Sequence, residues 1–524
     1  CIRDRAGVRL QSSAMVRARH LLKSSVIVIV LFALGKLTGL VRIRLVSVTF
    51  GTSAEFDAFT AANQLPEVFF AVIAGGSLAA AFIPVYSEYL TSRSAQKSAR
   101  LANTILTLVI LVLGTISALG AIFAPWLTRV VLAPGFPPET QALMAGIMRV
   151  ILIQTTLFGI SGVLSSVLNA HQHFALPALA PVALDVGYIV GLLLLVPEMG
   201  ILGLAWGTVL GALLHIAIQL PALRQFKFRY RPTLAVQMRG VREILRLMLP
   251  RIVALGAIQF ADLFIVRLAS SLAVGSTSGY FYAYTLMQLP ETLFATAIAL
   301  VVFPTLAELY NAGDIAGLKE TAVRTLSIIW FLTIPAAAGL VLLGRPVISF
   351  LLQGGAFDER SAEIVYVVLV IFSVRIVSEG TVEVVARLFY AQHNTLIPML
   401  AYLGWLIVNV ALAYGLIAEL GIAALALAST VAFTFLAVLL YFLNSRALGG
   451  LGERELAVSG ARALAATLGM TVIILVIGRV ITQPMLFLIA GGVVGAATYL
   501  LLSTLLGGKE IQHLLTLIRS RPAV

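Results

Sequence analysis

This 524-residue chain has one cysteine, six histidines and only 11% charged residues. With Cys1 as the sole cysteine, internal disulfides and cysteine metal clusters are excluded. Soluble domains carry about 25% charged residues. A chain with 60% hydrophobic residues and a mean hydropathy of +1.02 is therefore not an ordinary soluble domain. Acids are the scarcest charges, 23 against 36 Lys and Arg, which gives a net +13. In a soluble protein that excess would point to nucleic acid. Here the cations sit in the connections between apolar runs, so no nucleic-acid partner is expected. Catalytic motifs are missing too. Gly35-Lys36 and Gly508-Lys509 lack the glycine loop and Ser/Thr of a Walker A motif, and neither H-E-x-x-H nor G-x-S-x-G occurs. His171 and His173 read as solvated turn residues, not metal ligands. The expectation is a non-enzyme with no cofactor and no metal.

What the chain does have is apolar length. Stretches of about 20 residues or more recur, each enough to cross a bilayer as a helix. An intramembrane backbone must satisfy its own hydrogen bonds, so helices are expected, and the runs lack the alternation of a β-barrel. The reading is an all-α polytopic membrane protein with about fourteen spans. They lie near 24–48, 59–84, 101–127, 142–168, 174–196, 201–222, 244–268, 281–305, 322–343, 362–389, 396–418, 421–443, 459–480 and 484–506. One set of connections holds Arg17, Arg19, Lys23, Arg93, Lys97, Arg100, Arg224, Lys227, Arg229, Arg231, Arg239, Lys509, Arg519 and Arg521. The other holds scattered cations such as Arg129, Arg345, Arg360 and Arg479. By the positive-inside rule both termini are cytoplasmic, with membrane lipids, anionic ones included, as partners of the basic side. Met15 is the expected true start, and residues 24–34 read as part of an anchor, not a removed signal peptide.

A repeat organises these spans. Gln64-Leu65-Pro66-Glu67 returns 224 residues later as Gln288-Leu289-Pro290-Glu291. Both copies continue through Phe-Ala (Phe70-Ala71, Phe294-Ala295) to a proline followed four residues on by glutamate, Pro84 with Glu88 and Pro304 with Glu308. Pro177 and Gly200-Ile201 return 221 residues later as Pro398 and Gly421-Ile422. In a protein this apolar, such duplication marks a transporter of two repeats. The expected units are a cytoplasmic segment 1–23, a six-span lobe 24–222, a basic linker 223–243 and a second six-span lobe 244–443. A loop 444–458, a two-span hairpin 459–506 and a cytoplasmic tail 507–524 follow. An even number of spans separates the copies, so the repeat is parallel. Gly491 and Gly495 have the G-x-x-x-G spacing of close helix packing. Pro66, Pro84, Pro290 and Pro304 remove helix bonds and bend their spans, which suits rocking helices but also occurs in static bundles.

Ionisable groups inside spans are costly unless paired or wet, so each is a candidate functional residue. The first span carries Lys36, Arg42 and Arg44 without an acid. Binding of a phosphate or pyrophosphate is one reading, and snorkelling to an interface the other. In the seventh span Arg251 and Asp262 are eleven residues apart, hence on one face, with Arg267 beyond them. Asp262 either binds a proton or Na⁺ or neutralises a neighbouring arginine. In the tenth span Arg375, Glu379, Glu383 and Arg387 follow at four-residue steps along one face. The central carboxylates compete for one proton, as proton coupling requires, or the four form a self-neutralised ladder beside a wet cavity.

Taken together, Leu40-Val41-Arg42, Phe50-Gly51, Phe56-Asp57-Ala58-Phe59, Leu65-Pro66, Gly75-Gly76-Ser77 and Phe82-Ile83-Pro84 through Glu88 resemble the opening helices of the MurJ (MviN) family of lipid II flippases. Leu286-Met287, Leu289-Pro290, Phe303-Pro304 and Phe389-Tyr390-Ala391 before Pro398 agree with its second half. The resemblance implies the multidrug/oligosaccharidyl-lipid/polysaccharide exporter fold, a central cationic cavity, and a groove for a polyprenyl tail at the last two helices. It also implies translocation, in the bacterial cytoplasmic membrane, of an undecaprenyl-pyrophosphate-linked peptidoglycan precursor, with other cell-wall synthesis proteins as further partners. Arg42 matches a cavity arginine of the family and Asp57 its acid between the first two spans, so Asp57 is expected at the cargo site, where it would gate or orient. Lys36 stands where the family has arginine. Three positions depart: Phe70 replaces an arginine, Tyr284-Thr285 an Asp-Arg pair, and Glu383 a lysine. Arg251, Arg267, Arg375 and Arg387 are the candidates to restore the lost cations. The resulting expectation is an alternating-access flippase, with coupling to Na⁺ or H⁺ and to the membrane potential through Asp262 or Glu379 and Glu383. Alternatives are an exporter of another lipid-linked oligosaccharide or amphipathic drug, and a transport-inactive scaffold.

Overall fold

The computed structural model describes residues 31, 34–73, 76–92, 95–226, 228–508 and 510, and it is almost wholly helical. The segments expected at 1–23 and beyond 510 lie outside the described residues, Met15 among them. Helices α1 (34–50), α2 (Ala54–Ile73), α3 (Gly76–Ser92), α4 (Ala95–Ile122), α5 (Pro138–Ala170), α6 (Ala175–Met199) and α7 (Ile201–Gln225) build the first lobe. The segment 228–238 follows, extended at first, and leads into α8 (Arg239–Ala269). The second lobe continues with α9 (Ser276–Asn311), α10 (Ile315–Leu351), α11 (Glu359–Ala391), α12 (Leu396–Leu420) and α13 (Ile422–Leu448). Helices α14 (Glu453–Val480) and α15 (Pro484–Leu505) form the added hairpin. Among the described residues, eleven helices are long and apolar enough to cross a membrane. The described parts of the other three expected spans lie on α1, the α2–α3 pair and the charge-rich α8.

The repeat is written in the backbone as well as the letters. Among the described residues, Gln172 and His393, 221 residues apart, are the two non-glycine residues with positive φ, 59° and 57°. Gly200 and Gly421 share the same register with φ of 57° and 54°, and Gly51 and Gly275, 224 apart, both take positive φ. Such matching of rare conformations at a fixed offset fits a duplicated lobe. All four prolines singled out above lie inside helices, and a π-helical turn, Thr292–Thr296, follows Pro290. A π-turn beside a proline absorbs the lost hydrogen bond locally, which bends the rod without breaking it.

The cores locate the cavity. At one end a single apolar core joins both lobes: Val46, Phe50 and Phe56 of the first pack with Ile265, Tyr282 and Phe357 of the second. At the other end the cores are separate, one around Phe82, Leu101 and Val167, the other around Leu326, Phe389 and Leu436. The segment 228–238 belongs to this second end, held on α4 by Asn103 Nδ2, which donates to the Arg229 carbonyl at 3.3 Å. The lobes are therefore clasped at the end away from the linker and part towards it. Gly491 and Gly495 face Leu343 and Ile474, so the expected glycine spacing packs the hairpin against α10 and within itself.

Candidate functional site

Arg42 on α1 stands at the junction of two cavities, of about 390 and 230 Å³. Lys36 lines the larger one six residues earlier and is exposed. Arg42 is held from α6. Its Nε lies 2.9 Å from Asp185 Oδ1, and its guanidinium rests 4.7 Å from the centre of the Tyr188 ring. Asp185 Oδ2 accepts the Thr38 hydroxyl at 2.7 Å. Asp185 is 8% exposed while Arg42 remains 31% exposed, so the acid is spent on positioning and the cation still faces the void. Helix α6 is itself fixed by backbone-close packing on α7, where a methyl on Gly187 would meet Gly211 Cα at 2.1 Å. An arginine ion-paired at Nε keeps its outer N–H groups for a ligand. This pairing supports the phosphate reading of Arg42 over snorkelling.

Among the described residues, the wall opposite has no such cation. Thr285 lines both cavities, and its hydroxyl is already given to the Phe281 carbonyl at 2.8 Å. Phe70 packs 5.4 Å from Phe158, an apolar contact where the resemblance places an arginine. Arg375 is buried inside the second lobe. Its Nε donates to Glu379 at 2.9 Å and its Nη1 to Ser429 Oγ at 2.7 Å, and its guanidinium lies 4.1 Å from the Phe433 ring and 5.1 Å from that of Tyr284. Arg387 is bonded to Glu383. The ladder on α11 is thus self-neutralised, and neither arginine is free to meet a cargo. The side chain of Arg251 lies outside the described side chains.

Two further candidates act at the clasp between lobes. Asp57 was expected at the cargo site, to gate or orient. Instead it is buried, with Oδ2 accepting from the Gly275 amide and Oδ1 from the Ser278 amide and hydroxyl, all at 2.7 Å. It caps the start of α9 from the other lobe, and its lone pairs are committed to that task. Arg267 is not a cavity residue either: its Nη1 donates to the carbonyls of Val130 and Val131 at 2.6 and 2.8 Å. Arg44 does likewise for Gln353 at 2.5 Å, and the Ala356 amide donates to the Val48 carbonyl at 2.8 Å. The approach there is so close that a methyl on Gly51 would lie 2.2 Å from the Ala356 oxygen. Beside it Asp358 caps α11, and the amide and hydroxyl of Ser361 hold its carboxyl below the usual range.

Asp262 is half-buried on α8, within electrostatic reach of Arg375, Glu67 and Glu379, and has no ion-pair partner within 4.0 Å among the described residues. Three acids escaped the sequence reading: Asp185, Glu67 and Glu291. Asp185 sits mid-span, so the rule that singled out Asp262 would have found it. Glu67 and Glu291 were read as letters of a repeat and not as charges.

Two lobes in parallel repeat around a central cavity are the fold of solved transporters of the multidrug/oligosaccharidyl-lipid/polysaccharide superfamily. A solved inward-facing multidrug resistance MATE transporter of that superfamily overlays with a TM-score of 0.69 at 16% identity, covering 80% of this chain and 96% of that one. Within the superfamily the match narrows. The family model described as lipid II flippase MurJ matches residues 46–491, and the chain belongs to that family. It is 32% identical over 397 residues to a probable lipid II flippase MurJ of Bdellovibrio bacteriovorus, covering 73% of this chain and 74% of the relative. A Thermotoga maritima relative of the same description is 29% identical, covering 92% and 97%. A solved lipid II flippase MurJ in an inward closed conformation overlays with a TM-score of 0.78 at 23% identity, covering 92% and 98%.

Proposed function

We propose that this chain is a flippase that moves lipid II, the undecaprenyl-pyrophosphate-linked peptidoglycan precursor, from the inner to the outer leaflet of a bacterial cytoplasmic membrane. Arg42 is the observation that carries this reading, an arginine braced from behind by Asp185 and open in front to the central void. A pyrophosphate offers paired anionic oxygens that match a fixed guanidinium fork, and Lys36 adds a second charge lining the same cavity. Opposite the clasp, the void opens towards the basic end, which the positive-inside rule makes cytoplasmic along with both termini. Cargo enters there. Breaking the clasp at Asp57, Arg44 and Arg267 would then open the other end in alternating access, with the bends at Pro66, Pro84, Pro290 and Pro304 taking up the motion. Ion coupling to H⁺ or Na⁺ falls to Asp262, because Glu379 and Glu383 are each committed to an arginine. The membrane potential adds about 2.3 kcal/mol per charge per 100 mV. The reading is of transport and not catalysis, with other cell-wall synthesis proteins as its neighbours.

The test is complementation of a strain depleted of its own flippase. Arg42→Ala is expected to abolish colony formation while membrane levels of the protein stay at the wild-type value. Growth of that variant equal to wild type would remove Arg42 from the mechanism.

A further inference from the structure

A charged cavity of about 510 Å³ lies outside the central site, where the hairpin meets α10 at the basic end of the bundle. Arg324 comes from α10, and Arg454 and Arg462 from α14, eight residues apart and so on one helical face. Ser459 donates to Glu510 Oε1 at 2.8 Å, which ties the buried Glu510 carboxylate to the cavity wall. Glu320 and Glu455 also line the space and are exposed. Yet none of the three arginines has a carboxylate within 4.0 Å among the described residues, although five ion pairs form elsewhere. Three guanidinium groups that ignore nearby acids and surround one void present forks of N–H donors suited to phosphate oxygens. All three lie within the first few turns of their helices, at the depth where lipid head groups meet a spanning bundle.

We propose that this cavity binds the phosphate head group of an anionic phospholipid and that the bound lipid fastens the hairpin to the second lobe. The fastening has work to do because the apolar core between them is small, comprising Phe331, Leu343, Ala466, Met470, Ile474 and Tyr499. This inference needs only a membrane-embedded chain and stands apart from the central cargo site.

Native mass spectrometry of the full chain with equimolar phosphatidylglycerol and phosphatidylcholine tests it. Wild type is expected to retain phosphatidylglycerol preferentially. The triple variant Arg324→Gln, Arg454→Gln, Arg462→Gln should retain about tenfold less, the loss of a few charge-assisted contacts. The matching triple lysine variant, which keeps charge but loses the fork, should fall between the two and carries the test if the glutamine variant fails to fold. A control triple, Arg224→Gln, Arg229→Gln, Arg231→Gln in and beside the linker, should bind as wild type. Retention by the cavity variants equal to wild type overturns the proposal, as does an equal loss in the control, which would mean net charge alone. Displacement of the lipid by inorganic phosphate would assign the site to a free anion instead.

Discussion

The two lobes share a backbone plan and differ in what they do with charge. In the first, Arg42 is supported by an acid on another helix, Asp185, and still faces the void. In the second, Arg375 and Arg387 are each matched by a glutamate four residues away on their own helix, and Arg375 is 5% exposed. The same contrast runs through the repeated Gln-Leu-Pro-Glu segments. Glu67 is exposed, whereas Glu291 is buried and accepts from the Thr296 hydroxyl at 3.0 Å. Duplication therefore preserved the bends and let the chemistry diverge. One lobe presents a cation to the central cavity. The other keeps its charges to itself.

That division predicts opposite outcomes for arginine removal. Arg375→Ala leaves the largely shielded Glu379 without its partner, and breaking a buried pair costs about 3–5 kcal/mol. Membrane levels of that variant should collapse, and thermal unfolding in detergent should start well below wild type. Replacing both partners, Arg375→Met with Glu379→Leu, should restore most of the level. Normal abundance of Arg375→Ala with lost transport would instead place this arginine on the cargo and erase the contrast between lobes. A smaller effect is expected from Asp185→Asn, which weakens a charge-assisted contact of roughly 1.5–3 kcal/mol. Reconstituted vesicles should show transport slowed about tenfold or more with folding intact. An unchanged rate would mean that Arg42 orients itself without α6.

How much of this was legible in the letters depends on the range of the interaction. The lobes, the hairpin and the intrahelical ladder rest on periodicity and four-residue spacing, and Arg375–Glu379 and Glu383–Arg387 form as that spacing requires. Asp57 and Arg267 were placed in the cavity and found in the clasp. Their partners, Gly275, Ser278 and the Val130 and Val131 carbonyls, lie more than a hundred residues away and are mostly backbone groups, which carry no sequence signature. Asp185, whose pairing with Arg42 favours a ligand role over a snorkelling anchor, is linked to α1 by no local pattern. Where the cations lost at Phe70 and Thr285 went is answered in part: not to Arg267, Arg375 or Arg387.

The finest comparison between lobes is at their equivalent turns. Gln172 and His393 both hold a left-handed backbone conformation, which costs an L-residue about 1–2 kcal/mol and glycine little. They differ in compensation. His393 Nε2 lies 3.0 Å from Asn311 Oδ1, tying its turn to the end of α9, and Gln172 has no side-chain hydrogen bond among the described residues. Gln172→Gly should therefore stabilise the chain by about 0.5–1 kcal/mol, because relief of strain outweighs the added freedom of glycine when unfolded. His393→Gly should gain nothing measurable, since the same relief is offset by a lost hydrogen bond of about 0.5–1.5 kcal/mol. Melting temperatures of the two variants, taken side by side in one detergent, decide the point. Equal shifts would mean that the Asn311 contact contributes nothing, and that the two lobes differ only at the central cavity.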